Sequence, residues 1–368
     1  MTLKRKIQHK LREIIEAGAA SGICLAIGEK QECLGIFCEG SIFKSSRHRV
    51  HRHTWFDLAS LTKVISTTTL AIYSYQKKMI TSLDQSLQSF FPFLVSDLKD
   101  VTLCELLNHQ SGLPAVPKNL EEKIPERSER LRKFLYQLDG QYSTYATQRG
   151  STLYSDTGFI VLGIVLEQIW GERISVIFEK IFSREKFDMR YGPIDMKPGL
   201  MGLIFPMDEV APCSSLEGSE LLLWGQAQDP RMDIFGGDAG HAGLFGTVEA
   251  VEAWAKEIYD AYHGKSVWLS DKFVREFIDF ENFHSSKCGR FINGFDTPTS
   301  PSQAGATASS YTIGHLGYTG VSCWMDMETG RRISLLCHRF SPGIDPTRLA
   351  ELRPEFHDWL RRELWSNL

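Results

Sequence analysis

No run in these 368 residues is long and apolar enough to span a membrane. Basic charge is not in excess: 41 Lys and Arg stand against 45 Asp and Glu, a net charge of −4. Nothing in that balance points to a nucleic-acid partner. The basic segment Met1–Arg12 is followed by no apolar core or cleavage site of a secretory leader. Ile7, Leu11, Ile14 and Ile15 instead form a helical stripe. The expected compartment is therefore the cytoplasm, unless a leader has been removed from the sequence. The eight cysteines contain no C-x-x-C pair. They read as buried free thiols of a reducing compartment, with a disulfide from Cys24 to Cys33 or Cys38 as the alternative. His51, His53, His109, His241 and His315 lack H-E-x-x-H or other zinc spacing, and there is no Walker lysine or dinucleotide glycine fingerprint. No metal or cofactor is expected.

The chain does have material for a large core, with 42% hydrophobic residues, enough for one two-part domain or two domains. A helix is expected over about Leu3 to Ala17. Strands follow at Gly22–Gly28 and Cys33–Cys38, joined by a polar hairpin. Lys44 to His53 is basic and reads as a solvated loop into Trp55, with an anionic partner as the alternative. Residues 118–150 are charged and helical in flavour, and 183–240 look irregular. Phe159–Trp170 has helical spacing, with Asp156 placed to cap it. Thr247–Tyr262 is an amphipathic helix, Ser322–Met327 and Ile333–His338 are strands, and Asp345–Leu364 closes as a helix. Sheet-forming segments at both ends imply one sheet built from both termini, with a helical insertion between.

The chemistry starts at Ser60-Leu61-Thr62-Lys63. Serine and lysine at i and i+3 share a helix face. A serine hydroxyl needs a base, and a desolvated lysine crowded by cations can be one. Four other pairs match: Ser41/Lys44, Ser74/Lys77, Ser96/Lys99 and Ser183/Lys186. What sets Ser60 apart is the uncharged run after Lys63, which reads as a burying helix and hence a shifted lysine.

Tyr154-Ser155-Asp156 offers a phenol whose phenolate a nearby ammonium would favour, able to pass a proton between Ser60 and a leaving group. Taken alone, Tyr154 is a packed tyrosine before a cap. His109–Pro114 reads as a structural turn. The glycine-rich Gly236–Gly246 implies close backbone approach, against the helix that carries Ser60. Gly314–Gly320 leads into the strand at Ser322. On an edge strand beside the serine, its N–H groups would stabilise an oxyanion. His315 there reads more readily as a hydrogen-bonded core residue than as a catalyst.

In combination, these residues resemble the serine β-lactamase and penicillin-binding-protein superfamily, in its class C-like branch. Ser60 and Lys63 match S-x-x-K, Tyr154 with Asp156 matches Y-x-N, and His315-Leu316-Gly317 matches H-x-G. His109–Pro114 is similar to the family's H-T-S-G-L stretch and Gly240–Gly246 to its G-x-A-G-L stretch. The resemblance implies an α/β (α+β) fold. An antiparallel sheet flanked by helices would be built from 1–76 and 236–368, with an all-helical insertion at 77–235 and a catalytic cleft between them. It implies Ser60 as nucleophile, and Lys63 and Tyr154 as its proton managers. The N–H groups of Ser60 and Tyr318 would form the oxyanion hole, with His315, Gly317 and Asp156 lining the cleft.

Two departures stand out. An ionised Asp156 cannot supply asparagine's amide donor, and it would hold Lys63 protonated. His315 replaces a lysine that would hold a substrate carboxylate, and histidine is largely neutral at pH 7. Both argue against efficient penicillin hydrolysis. A class A reading of Ser155-Asp156-Thr157 fails on spacing. The expected function is a serine hydrolase acting through an acyl-enzyme on an amide or ester of a small molecule or peptide, with cell-wall peptides as the family's analogy. Alternatives are a broad carboxylesterase and a non-catalytic, penicillin-recognising binding module.

Overall fold

The computed structural model describes all residues except 119–125, 183–186, 195–208, 215–220, 287–288 and 366–368. Twelve strands are present among the described residues. They are β1 Gly22–Glu29, β2 Glu32–Gly40, β3 Phe56–Asp57, β4 Met189–Tyr191, β5 Cys213–Ser214, β6 Leu222–Leu223, β7 Leu244–Gly246, β8 Phe291–Ile292, β9 Phe295–Asp296, β10 Thr312–Leu316, β11 Ser322–Asp326 and β12 Arg331–Cys337. The α-helices are α1 Leu3–Glu16, α2 Thr69–Gln76, α3 Leu103–Leu107, α4 Arg127–Tyr145, α5 Asp156–Trp170, α6 Ile174–Phe182, α7 Met232–Phe235, α8 Val248–Tyr262, α9 Asp271–Phe277, α10 Phe280–Ser286 and α11 Arg348–Trp365. None of the described helices is long and apolar enough to cross a membrane.

Seven strands form one antiparallel sheet in the order β2-β1-β12-β11-β10-β9-β8. Strand β1 alternates its side chains between two cores. Ile23, Leu25 and Ile27 pack with α1 and α11, against Ile7, Leu11, Phe356 and Leu360. Cys24 and Ala26 face the larger core shared with α8, through Val251, Trp254 and Ile258. Both faces are therefore covered, which is why nearly all of β1 is buried. The chain's two ends meet here, since β1 pairs with β12 from Ile23↔Cys337 to Glu29↔Arg331. The fold is α+β, as the sequence pattern implies.

The 77–235 stretch holds α3 to α7, but it is not all helical. Strands β4, β5 and β6 lie within it, and β4 pairs with β7, which in turn pairs with β3. Strand β10 is not an edge strand, because β9 flanks it. That flank, however, pairs only at Gly314↔Asp296, so β10 beyond Gly314 is open on one side.

Candidate active site

Short strand β3 delivers the chain into a tight turn at Ala59-Ser60. Ala59 has φ +45°, a left-handed conformation that costs an L-residue energy. The Asp57 carboxylate accepts the Ala59 N–H at 2.8 Å and holds the turn. Leu61 then opens a helical run whose Lys63–Thr68 segment is π-helical and wholly buried. Such wide turns concentrate at functional positions. Here the Thr69 hydroxyl donates to the Val64 carbonyl, five residues back, at 2.9 Å.

Lys63 is fully buried. Its three donors go to Ser60 Oγ at 2.9 Å, Asp156 Oδ1 at 2.8 Å and the His241 carbonyl at 3.2 Å. Burial alone would drive its pKa down, as the sequence suggests. The opposite direction holds, because the charge of Asp156, with Tyr154, outweighs desolvation and raises it. Asp156, despite its own burial, is held well below the usual carboxylate range by Lys63, His241 and Arg231. The resting pair is therefore ammonium and carboxylate.

Tyr154 presents its ring to the cleft, 38% exposed, with Lys63 Nζ 4.9 Å from the ring centroid. Its hydroxyl interacts with Lys63 and Ser60. The phenolate is not favoured overall: desolvation exceeds the help from Lys63, and the phenol pKa is raised. Tyr154 is braced by His109, whose ring centroid lies 4.6 Å away and whose Nδ1 accepts the Ser155 N–H at 3.0 Å. His109 thus does more than close a turn. Burial, then Lys63, keeps it neutral.

Asp156 does not cap α5. Ser155 does, its hydroxyl accepting the Gly158 N–H at 2.9 Å. Asp156 is the first residue inside the helix, which frees its carboxylate to reach both Lys63 and Arg231 Nη2, the latter at 2.9 Å. Arg231 also pairs with Asp229 at 2.6 Å, and Asp229 meets His241 Nε2 at 2.9 Å. Asp156, Asp229 and His241 have ligand atoms within 4.8 Å of one another. Arg231 already supplies positive charge between the two carboxylates. Sequence reading passed over Arg231 and Asp229, and weighed His241 only as a metal ligand. The one available signal was Asp156 itself, a buried carboxylate that demands cations.

Across the cleft, Gly317 lets the end of β10 approach the serine turn. A Cβ there would sit 2.7 Å from the Leu58 carbonyl and 3.4 Å from Ala59 Cβ. Among the described residues, neither the Ser60 N–H nor the Tyr318 N–H has a hydrogen-bond partner. His315 is buried, and burial, reinforced by Lys63, pushes it down to about 3. Its Nδ1 lies 2.6 Å from the Leu316 carbonyl, so a neutral ring carries its proton there and leaves Nε2 as an acceptor.

Ser60, Tyr154, Asp156, His315, Gly317 and Tyr318 line one cavity of about 1180 Å³, and Lys63 lies beneath it. The other S-x-x-K pairs have ordinary roles. Ser96 caps the 97–100 turn, Ser74 donates to Leu70 and Lys44 donates to Gly343. Ser183/Lys186 lies outside the described residues. The glycine-rich stretch approaches α5 more closely than the Ser60 helix, since a Cβ on Gly240 would fall 2.1 Å from the Phe159 carbonyl. It touches the Ser60 helix by hydrogen bonds, from Thr67 Oγ1 to the Gly240 carbonyl and from Lys63 to the His241 carbonyl.

Residues 12–354 match the family model described as Beta-lactamase. An N-acetylmuramyl-L-alanine amidase of Bacillus subtilis (strain 168) is 23% identical over 377 residues, covering 93% of this chain and 82% of that protein. A putative D-alanyl-D-alanine carboxypeptidase of Salmonella enteritidis PT4 (strain P125109) is 26% identical over 369 residues, covering 90% and 81%. Among solved structures, an octameric penicillin-binding protein homologue from Pyrococcus abyssi superposes with a TM-score of 0.71 at 17% identity. That match covers 99% of this chain and 78% of the other.

Proposed function

Because the chain belongs to the beta-lactamase family, we propose that it is a serine hydrolase that cleaves an amide or ester through an acyl-enzyme on Ser60. The observation that carries this reading is the 2.9 Å contact between Ser60 Oγ and Lys63 Nζ, with Tyr154 beside it. In the proposed reaction, Ser60 Oγ attacks the substrate carbonyl. The unpartnered N–H groups of Ser60 and Tyr318 receive the oxygen as it gains charge, each worth roughly 10²–10³ in rate. The Ser60 proton passes through the Lys63–Tyr154 pair to the leaving amine or alcohol. Water then releases the acyl group by the same route reversed. Lys63 rests as an ammonium, so only its minor neutral form accepts the proton, and the rate should rise with pH.

The substrate we propose is a small peptide with a free carboxylate, of the kind found in peptidoglycan fragments. The names of the similar amidase and carboxypeptidase support it. So does Arg353, which lines the same cavity and is 4% exposed. Among the described residues its guanidinium contacts only neutral oxygens, those of Gln303, Gly320 and Val321, and a buried cation without a counter-charge is costly. Arg353 thereby offers the fixed charge that His315 cannot. In the cytoplasm, which we propose as the compartment, the substrate would be a recycled or imported fragment rather than the polymer.

Intact-protein mass after exposure to a fluorophosphonate and, separately, to a labelled penicillin tests the mechanism, with Ser60→Ala as control. An adduct lost in the variant is expected. A higher kcat/KM for muramyl peptides than for simple nitrophenyl esters separates the peptidase reading from a carboxylesterase. Absence of any adduct would overturn the acyl-enzyme and favour a binding module.

A further inference from the structure

We propose that Asp57 is a positioning residue that sets the spacing between the Ser60 and Tyr318 N–H groups. This rests on the reading of those groups as the oxyanion hole and goes beyond it. Asp57 lies three residues before the nucleophile, outside every motif quoted for the family.

Three separate segments converge on this one residue. Its Oδ1 accepts the Ala59 N–H at 2.8 Å and so holds the turn that presents Ser60. Its Oδ2 accepts the Gln228 N–H at 2.7 Å, at the start of the loop that carries Asp229 and Arg231. Its main-chain carbonyl accepts the Thr319 hydroxyl at 2.8 Å, which fixes the turn that presents Tyr318. Both walls of the hole and the Arg231 loop are thus tied to one point on β3, itself anchored by the Asp57↔Phe245 pair in the β3–β7 ladder.

A carboxylate is the side chain this job requires. Two N–H donors reach it from different directions, and each of its oxygens takes one. An asparagine would offer one oxygen and present an N–H₂ group to the other donor. No described cation pairs with Asp57, and it is 3% exposed, so its charge is carried by the two N–H groups alone. Among the described residues nothing else accounts for a buried carboxylate without a cation at this point. The strained Ala59 conformation makes the restraint necessary, since without the Asp57 bond the turn is free to leave the left-handed region.

Protonation gives the device a signature. Burial lifts Asp57 up to about 6, against the pull of the two N–H groups and with a further push from Asp229. Among the described residues the other titratable group facing it is the Cys213 thiol of β5, which is itself driven up. As pH falls through about 6, one carboxylate oxygen becomes a hydroxyl donor and releases an N–H. Turnover should therefore fall on the acid side.

The test uses the full chain, with a short-acyl p-nitrophenyl ester as turnover probe and fluorophosphonate labelling monitored by intact mass. Asp57→Asn is expected to lower kcat about 100-fold with KM within about threefold, and to remove from the residual activity the extra acid limb near pH 6, leaving only the rise with pH set by Lys63. Thr319→Val, which deletes only the hydroxyl that reaches Asp57, is expected to lower kcat about 10-fold and to keep that limb. Should Asp57→Asn fail to fold, Thr319→Val decides alone, and wild-type kcat in it overturns the proposal. An acid limb unchanged in a folded Asp57→Asn protein also overturns it. Failure of the underlying reading looks different: Ser60 would go unlabelled in the wild type, or Ser60→Ala would retain turnover.

Discussion

Asp156 Oδ1 lies 2.8 Å from Lys63 Nζ, and this contact sets the resting charge of the site. An asparagine there, as in the Y-x-N motif that Tyr154 and Asp156 resemble, would place a neutral amide beside the lysine. Here a carboxylate holds the lysine as an ammonium, and Arg231 steadies the carboxylate from its other side.

Asp156→Asn is expected to move the rising limb of kcat/KM, which follows deprotonation of Lys63, to lower pH. The sign follows from Lys63, whose pKa is raised by the Asp156 charge against its burial. Removing that charge lets desolvation lower the pKa, so more neutral lysine exists at pH 7. A pH–rate profile of both proteins measures it, and superimposable profiles would show that Asp156 does not tune Lys63.

Ser60→Ala should abolish turnover, by several orders of magnitude, while leaving the urea midpoint within error of wild type. Tyr154→Phe keeps the ring against His109 and removes only the hydroxyl. It should slow single-turnover acylation by roughly 10²–10⁴. Lys63→Ala should be at least as slow. It should also be less stable, because Asp156 loses its buried partner. An undiminished burst in Tyr154→Phe would remove the phenol from the proton route.

Arg353→Gln is expected to raise KM about 10- to 100-fold for a peptide ending in a free carboxylate, in line with loss of one charge-assisted hydrogen bond. The same variant should barely change KM for the C-terminal amide of that peptide. Comparing the two substrates on one protein cancels any general loss of fold. Equal effects on both would assign Arg353 a purely structural part in the 317–321 turn.

Gly240→Ala should destabilise the protein by about 1–3 kcal/mol, because its Cβ would collide with the Phe159 carbonyl and the backbone of Gly163. Activity should fall too, since the neighbouring His241 carbonyl binds Lys63. Urea unfolding followed by tryptophan fluorescence reads the first effect, and an unchanged midpoint would contradict the close packing of this stretch on α5.

Stability should fall as pH drops from 7 to 5. Burial holds His109, His315, His338 and His357 below the ordinary histidine value. The unfolded chain therefore takes up protons near pH 6.5 that the folded one refuses, costing about 1–2 kcal/mol at pH 5 for each histidine that stays neutral. Asp57 acts in the reverse sense, because its raised pKa makes the folded state bind a proton more tightly between about pH 4 and 6. Urea midpoints at pH 7, 6 and 5 measure the balance. A flat series would mean that the histidines are protonated in the folded state.

Much of this was legible in the residues alone. The i, i+3 spacing of Ser60 and Lys63 is local, and so is the alternation that makes β1 a strand. The stripes that make α1, α8 and α11 helices are local as well, because each depends on backbone geometry over a few residues. The order of short motifs along the chain was enough to bring Ser60, Tyr154 and His315 into one expectation. The charge of Lys63 was not legible. It depends on a carboxylate 93 positions away and on burial that no local pattern measures, and the two effects oppose each other. The cap of α5 fell to Ser155, because tertiary contact with Lys63 and Arg231 claimed the Asp156 side chain. Arg231, Asp229 and Asp57 stayed invisible for the same reason, as did the contact of His241 with Asp229. A residue's local sequence sets its element, whereas its ionisation and its partners are sums over groups that only folding brings within a few ångströms.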